Sequence, residues 1–326
     1  MNKQVANFQL RTNEGVLTGN NNSCTWTNID MSKILGDMWD KYEYFNLTLK
    51  CIAWNILPAD GTSNNSISTQ SNRYYMKGLD WENCNYDNLS NSIKDFSCIG
   101  LARCSSSVSS NTGLIYYFPS KYVVNTFKKS KNIVDINIYI IANYTRLLGY
   151  LGTTGGRLFP HTIYDFTISP CRDYSETTAL LTLIPSVNFN NGETNIFNNI
   201  NFKLLLGNLW SKFDKFSVEL VDVQSSFFSA LTINTNLRAC YLELVGLETV
   251  NSNNNTIVLG DVYLDITLGY AISSFADESD KSCIVKKENI KNLFINFKSI
   301  ETNNIITITS GSMASHTYII LIRPIT

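Results

Sequence analysis

The chain has only two histidines and six prolines in 326 residues, and its 26 basic and 27 acidic side chains nearly cancel, to a formal charge of −1. Each scarcity excludes something. General acid–base chemistry finds few recruits, since His161 lies in a Gly/Pro-rich stretch and His316 opens a strand-like run, and both read as hydrogen-bonding residues. Without net charge, no global field steers the protein toward nucleic acid or an anionic membrane. The basic runs Lys128-Lys129-Ser130-Lys131 and Lys286-Lys287 are too short to change that and read as solvated loops. No run of eighteen apolar residues occurs, so no membrane-spanning helix is expected. The opening MNKQVANFQLRTNEG lacks the apolar segment of a signal peptide. The eight cysteines include no CxxC pair, which argues against a zinc site. Cys51, Cys240 and Cys283 fall in apolar strand-like runs, where a thiol packs as a small hydrophobe, and a reducing compartment is expected.

Short motifs add no chemistry. Ser310–Ser315, SGSMAS, lacks the Gly-x-Ser-x-Gly pattern of a nucleophile elbow. Asp277–Asp280, DESD, has neither the spacing nor the glycine of an EF-hand and reads as a solvated loop. Gly155-Gly156-Arg157 lacks the Lys-Ser/Thr and the helix of a phosphate loop. No catalytic, cofactor-binding or metal-binding residue is therefore expected.

What is present is a packed composition, 44% hydrophobic and only 16% charged, with room for two domains. Abundant Asn, Ser and Thr suit turns that close on their own backbone, and equally suit an AT-rich genome. Above all, the chain repeats itself. Leu35–Ile52 reads LGDMWDKYEYFNLTLKCI, and 171 positions later Leu206–Val223 reads LGNLWSKFDKFSVELVDV. Gly36/Gly207, Trp39/Trp210 and Phe45/Phe216 are identical pairs. In each copy apolar residues recur at helical spacing through the Trp, with Asp30 and Asn201 placed as N-caps. The period then becomes two, in Phe45, Leu47, Leu49 and in Phe216, Val218, Leu220. A capped helix running into a strand is thus encoded twice. Fainter echoes pair Gly78-Leu79-Asp80 with Gly246-Leu247-Glu248, and residues 126–140 with 296–310. The final HTYIILIRPIT finds no partner by sequence.

The Gly/Pro-rich stretch about 148–162 reads as a linker, dividing the chain into domains 1–155 and 156–326. Strands are expected near 8–17, 45–54, 73–80, 96–102, 113–118 and 133–142. Further strands fall near 164–169, 178–184, 216–223, 226–233, 239–247, 256–267, 293–299, 304–309 and 317–323. Short strands between polar turns, without alternating long helices, indicate an all-β fold of two tandem antiparallel sandwiches, best matched by eight-stranded jelly rolls, each with a short helix before one strand.

On the duplicated LGDMWDKYEYFNLTL and LGNLWSKFDKFSVEL, with TYIILIRPI as closing strand, the chain resembles the double-jelly-roll capsid proteins of icosahedral double-stranded DNA viruses. The resemblance implies a structural, non-enzymatic role as a major or minor capsid component. It implies homotrimers with six similar domains about the axis, contacts with other capsid proteins and proximity to an internal viral membrane. It also implies assembly in the host cytoplasm and residence in the virion, without direct nucleic-acid binding. Gly36, Gly207, Trp39, Trp210, Phe45 and Phe216 are its candidate structural anchors, the two Trp being either core anchors or interface residues. The competing reading is a carbohydrate- or receptor-binding sandwich, with Tyr74-Tyr75 and Tyr116-Tyr117 as stacking platforms.

Overall fold

The computed structural model describes residues 4–18, 23–56, 71–82, 86–87, 96–103, 113–117, 123–142, 162–183, 195–197, 200–227, 239–245, 256–265, 272–274, 283–289, 293–304 and 313–326. Over these residues it is all-β and antiparallel in nearly every pairing, with four short α-helices. Two compact units divide the chain: residues 1–84 with 93–177, and residues 85–92 with 178–326.

The first unit has eight principal strands: β1 (Ala6–Arg11), β2 (Ser23–Asp30), β3 (Tyr44–Ile56), β4 (Ser71–Lys77), β5 (Phe96–Arg103), β6 (Val124–Lys128), β7 (Ile133–Ala142) and β8 (Thr162–Pro170). One sheet runs β1-β8-β3-β6 and the other β2-β7-β4-β5. Short strands at Val16–Thr18, Asp80–Trp81 and Gly113–Tyr117 pair with β2, β6 and the far end of β3. Alternation decides which side chains turn inward. Phe45, Leu47 and Leu49 of β3, Phe166 and Ile168 of β8, Met76 of β4 and Ile136 and Ile138 of β7 belong to one buried cluster drawn from both sheets. Tyr164 lies between the sheets, edge-on to Trp26 at 6.1 Å and to Tyr74 at 6.0 Å between ring centres. Each such side chain contributes roughly 1.5–3 kcal/mol by leaving water.

The second unit repeats the plan with β9 (Ala179–Leu183), β10 (Asn195–Phe197), β11 (Lys215–Phe227), β12 (Ala239–Val245), β13 (Thr256–Asp265), β14 (Cys283–Lys286), β15 (Leu293–Ser299) and β16 (Met313–Ile325). Its orders are β9-β16-β11-β14 and β10-β15-β12-β13. Counted from each unit's first strand, both are 1-8-3-6 and 2-7-4-5. Ile272–Ser274 bridges β13 to β11, and Tyr86–Asp87 pairs in parallel with β9.

The likeness extends to register. In β3 the pairing with β8 skips Lys50, and in β11 the pairing with β16 skips Val221, the position 171 residues on. In β5 the ladder skips Ile99 before Gly100, and in β13 it skips Leu259 before Gly260. Pro170 lies opposite Phe45 as Pro324 lies opposite Phe216, and Tyr164 lies opposite Ile52 as Tyr318 lies opposite Val223. Both tyrosines are fully buried.

Several expectations change. The strand near 164–169, assigned by sequence to the second domain, hydrogen-bonds between β1 and β3 and is the eighth strand of the first unit. The first unit therefore runs to Thr177, past the expected break at 155/156. Its strand is also the counterpart that HTYIILIRPIT lacked. The expected strand 8–17 is two strands separated by a 3-10 turn at Thr12–Glu14, and β2, β6, β10 and β14 are missing from the expected strands, although Cys283 of β14 lies in a run read as strand-like. The counterpart of Phe127-Lys128-Lys129 is Val285-Lys286-Lys287, and that of β7 is β15, so the echo of 126–140 in 296–310 is displaced. Gly78 takes φ 114°, and a Cβ there would meet the Asp135 carbonyl oxygen at 2.0 Å, which only glycine permits. Residues 148–161, 246–248, 228–233 and 305–309 lie outside the described residues.

Cys24, Cys51, Cys98, Cys171 and Cys283 are buried thiols outside any disulfide. Burial pushes the Cys24 thiol up to about 12 and Cys283 to about 11, from an ordinary value of 9.0. The unfolded chain sheds these protons above pH 9 while the folded one retains them, so their contribution to stability is constant below pH 9 and falls as pH rises toward 12. The melting temperature should decline above pH 9, less steeply in Cys24→Ala. At pH 8 Ellman's reagent should leave these five thiols unmodified until denaturant is added; rapid labelling of any of them in the native state would contradict this.

Candidate functional site: the duplicated helix–strand corner

The repeated sentence folds into the same corner twice. Where one helix is expected, each copy has two: α1 (Met31–Leu35) and α2 (Asp37–Lys41), then α3 (Phe202–Leu206) and α4 (Asn208–Lys212). Glycine makes the break. Gly36 sits at φ 52°, ψ −133° and Gly207 at φ 51°, ψ −124°, a region closed to residues with a Cβ. Each glycine N–H closes the first helix, onto Ser32 O at 2.8 Å and Lys203 O at 3.0 Å. Each glycine carbonyl accepts from the following tryptophan N–H, at 2.9 Å for Trp39 and 3.2 Å for Trp210.

Both expected caps are formed. Asp30 Oδ1 accepts from Lys33 N at 3.1 Å and from the Ser32 hydroxyl at 2.7 Å, and the Ser32 bond leads in holding its carboxyl below the ordinary carboxylate range. Asn201 Oδ1 accepts from Leu204 N at 2.9 Å. Inward, Met31, Leu35 and Met38, and in the second copy Phe202, Leu206 and Leu209, are buried. Phe45 and Phe216 are the second residues of the following strands, each fully buried; Phe45 stacks on Phe127 at 5.7 Å, and Phe216 on Trp210 at 6.4 Å.

A lysine braces each corner. Lys129 Nζ donates to Trp39 O at 2.6 Å and stands 5.2 Å from the centre of the Trp39 ring. Lys287 Nζ donates to Trp210 O at 2.9 Å and stands 5.6 Å from the Trp210 ring. Their backbone N–H groups donate to Glu43 O at 2.7 Å and Asp214 O at 2.8 Å. An ammonium on the last turn satisfies a helix carbonyl that has no partner within the helix and complements the helix dipole. The basic runs expected as solvated loops thus each place one lysine against a tryptophan. Each lysine pair straddles the end of a strand, β6 or β14, that hydrogen-bonds to the repeated one, and neither of those strands is among the ones expected from sequence.

Both tryptophans are half-buried, ring face against lysine, which places them at the margin of the core. Tyr74 and Tyr75, candidates for a sugar platform, are buried, Tyr74 edge-on to Tyr164 and Tyr75 stacked on Tyr139 at 5.2 Å. The side chains of Tyr116, Tyr117 and His316 lie outside the described residues, as do His161 and residues 277–280. Among the described residues, no three His, Cys, Asp or Glu side chains group to hold a metal ion, and no helix is long and apolar enough to cross a membrane.

The interiors of the corners agree and their exteriors differ. Residues 30–44 carry four acidic and two basic side chains, whereas residues 201–215 carry one acidic and three basic. At the turn, exposed Asp37 and Asp40 stand where the second copy has Asn208 and Ser211.

Gly36→Ala and Gly207→Ala should each destabilise by about 1–3 kcal/mol, although a Cβ on Gly36 meets nothing within 4 Å, because the cost is torsional. Chemical denaturation measures this; neutrality would refute the torsional account. Trp39→Ala and Trp210→Ala should cost about 2–3 kcal/mol, under the figure for fully buried Trp, and Lys129→Met or Lys287→Met about 1 kcal/mol.

No protein-family model matches the chain, and no curated protein matches it in sequence. Among solved structures it is similar to N-glycanase F (PNGase F), 10% identical with a TM-score of 0.32, covering 98% of this chain and 95% of that one. It is similar to BuGH86 in complex with neoagarooctaose, 11% identical with a TM-score of 0.20, covering 86% of this chain and 31% of that one. It is also similar to the mavirus penton protein, 9% identical with a TM-score of 0.17, covering 99% and 100%. Likenesses this slight carry no argument about function.

Proposed function

We propose that the chain is a double-jelly-roll structural protein of an icosahedral virus shell, a major or minor capsid component that assembles as a trimer. What supports the jelly-roll reading is pairing. Wrapping an eight-stranded hairpin ribbon sets strand 1 beside 8, 2 beside 7, 3 beside 6 and 4 beside 5, and these four pairs occur in each unit. The observation that carries the functional reading is duplication at the level of register, with skipped residues at matching positions of two ladders. A trimer of doubled domains offers near-sixfold contacts while only threefold symmetry is genuine. The unlike charges outside the two corners suit such a ring, in which alternate positions meet different neighbours.

Light scattering coupled to size-exclusion chromatography tests this. The expected mass is three chains, stable on dilution; a single-chain mass at every concentration would overturn the proposal. Co-purification of the chain with virus particles is the second expected outcome.

A further inference from the structure

The two units differ at one matching edge. In the second unit, β9 has β16 on one side and Tyr86–Asp87 on the other, in parallel, with Tyr86 opposite Leu181 and Asp87 opposite Thr182. That two-residue strand is drawn from a segment, residues 85–92, that interrupts the sequence of the first unit. The matching strand of the first unit is β1. Ala6, Phe8 and Leu10 oppose Ile168, Phe166 and Tyr164, as Ala179, Leu181 and Leu183 oppose Ile322, Ile320 and Tyr318. Beyond β1, among the described residues, no strand follows.

The β1 edge is suited to receive one. A sheet edge presents unpaired N–H and C=O groups, and proteins blunt it with proline, bulges, shortness or charge. ANFQLR is six residues long, has no proline, pairs with β8 without a register shift, and carries charge only at Arg11. Exposure follows the same contrast: Asn7, Gln9 and Arg11 are exposed, whereas every residue of β9 is buried.

We infer that the open edge of β1 is an interaction surface that accepts a parallel strand from a second copy of this chain. The inference rests on the trimer proposed above and deepens it by naming a contact. The occupant follows from the duplication: the matching edge already takes a strand of this same chain, and in a ring of doubled domains a contact made within one chain has its counterpart between neighbours. Backbone hydrogen bonds supply the attraction, so the polar outward side chains of β1 are no obstacle.

Residue-resolved hydrogen exchange on the oligomer, with its mass measured in parallel, tests this. In an open edge strand only alternate amides, those bonded to β8, exchange slowly; with a strand added, nearly all amides of residues 6–10 do. The edge strand Val16–Thr18 supplies the internal reference. The expected result is a trimer in which both sets of β1 amides are slow, and in which dilution to single chains, where attainable, speeds one set at least tenfold. A trimer with only alternate protection overturns this inference and leaves the proposed function standing. A single-chain mass at all concentrations overturns both. Full protection in the single chain also overturns the inference, because the chain would then cover its own edge.

Discussion

One skipped residue in the third strand of each unit governs how that unit is filled. Side chains along a strand alternate between faces, so Phe45, Leu47 and Leu49 point inward only while the odd positions hold. The bulge at Lys50 changes the phase, and Ile52 takes over as a fully buried inward residue. Without it, the far half of a thirteen-residue strand would present the wrong face. The same device at Val221 serves β11. Register, bulge and core are one constraint, and the corner that precedes each strand sets where counting begins.

That corner was readable from sequence because its information is local. A cap at Asp30 or Asn201, helical spacing through Trp39 or Trp210, and alternation from Phe45 or Phe216 each involve neighbours in the chain. The split into two helices was less visible, since a glycine inside an apolar pattern signals a break only once its torsion is known. The last strand of the first unit was misassigned because its evidence is non-local. Tyr164, Ile168 and Pro170 match Tyr318, Ile322 and Pro324, but the offset there is 154 residues, against 171 at the corner. The Gly/Pro-rich stretch before Thr162 resembles a domain boundary, and nothing local says that the strand beyond it returns to pair with Ala6–Arg11. Lys129 and Lys287 escaped notice for the same reason, as their partners lie 90 and 77 residues away.

The copies have parted even at buried positions, on the side of the sheet away from the inward cluster. Tyr75 faces Tyr139 across β4 and β7, and the matching pair across β12 and β15 is Glu243 and Asn296. An aromatic stack in one unit is thus replaced in the other by a buried polar cluster, in which Glu243 accepts from Asn296 at 2.9 Å and pairs with Lys298 at 2.9 Å. Buried charge of this kind contributes little net stability but penalises any arrangement that leaves it unpaired. Two units with one strand order can in this way keep distinct identities.

The placement of β8 between β1 and β3 has a consequence for biosynthesis. Among the described residues Ala6 is paired with Ile168 alone, so the first half cannot complete its sheet until about half of the polypeptide has left the ribosome. Until then the nascent β1 and the long β3 emerge as strands without their shared partner, a state prone to mispairing with other chains. Synthesis of this protein therefore leaves two such intervals, one for β1 and β3 before Pro170 is made and one for β9 and β11 before Pro324 is made.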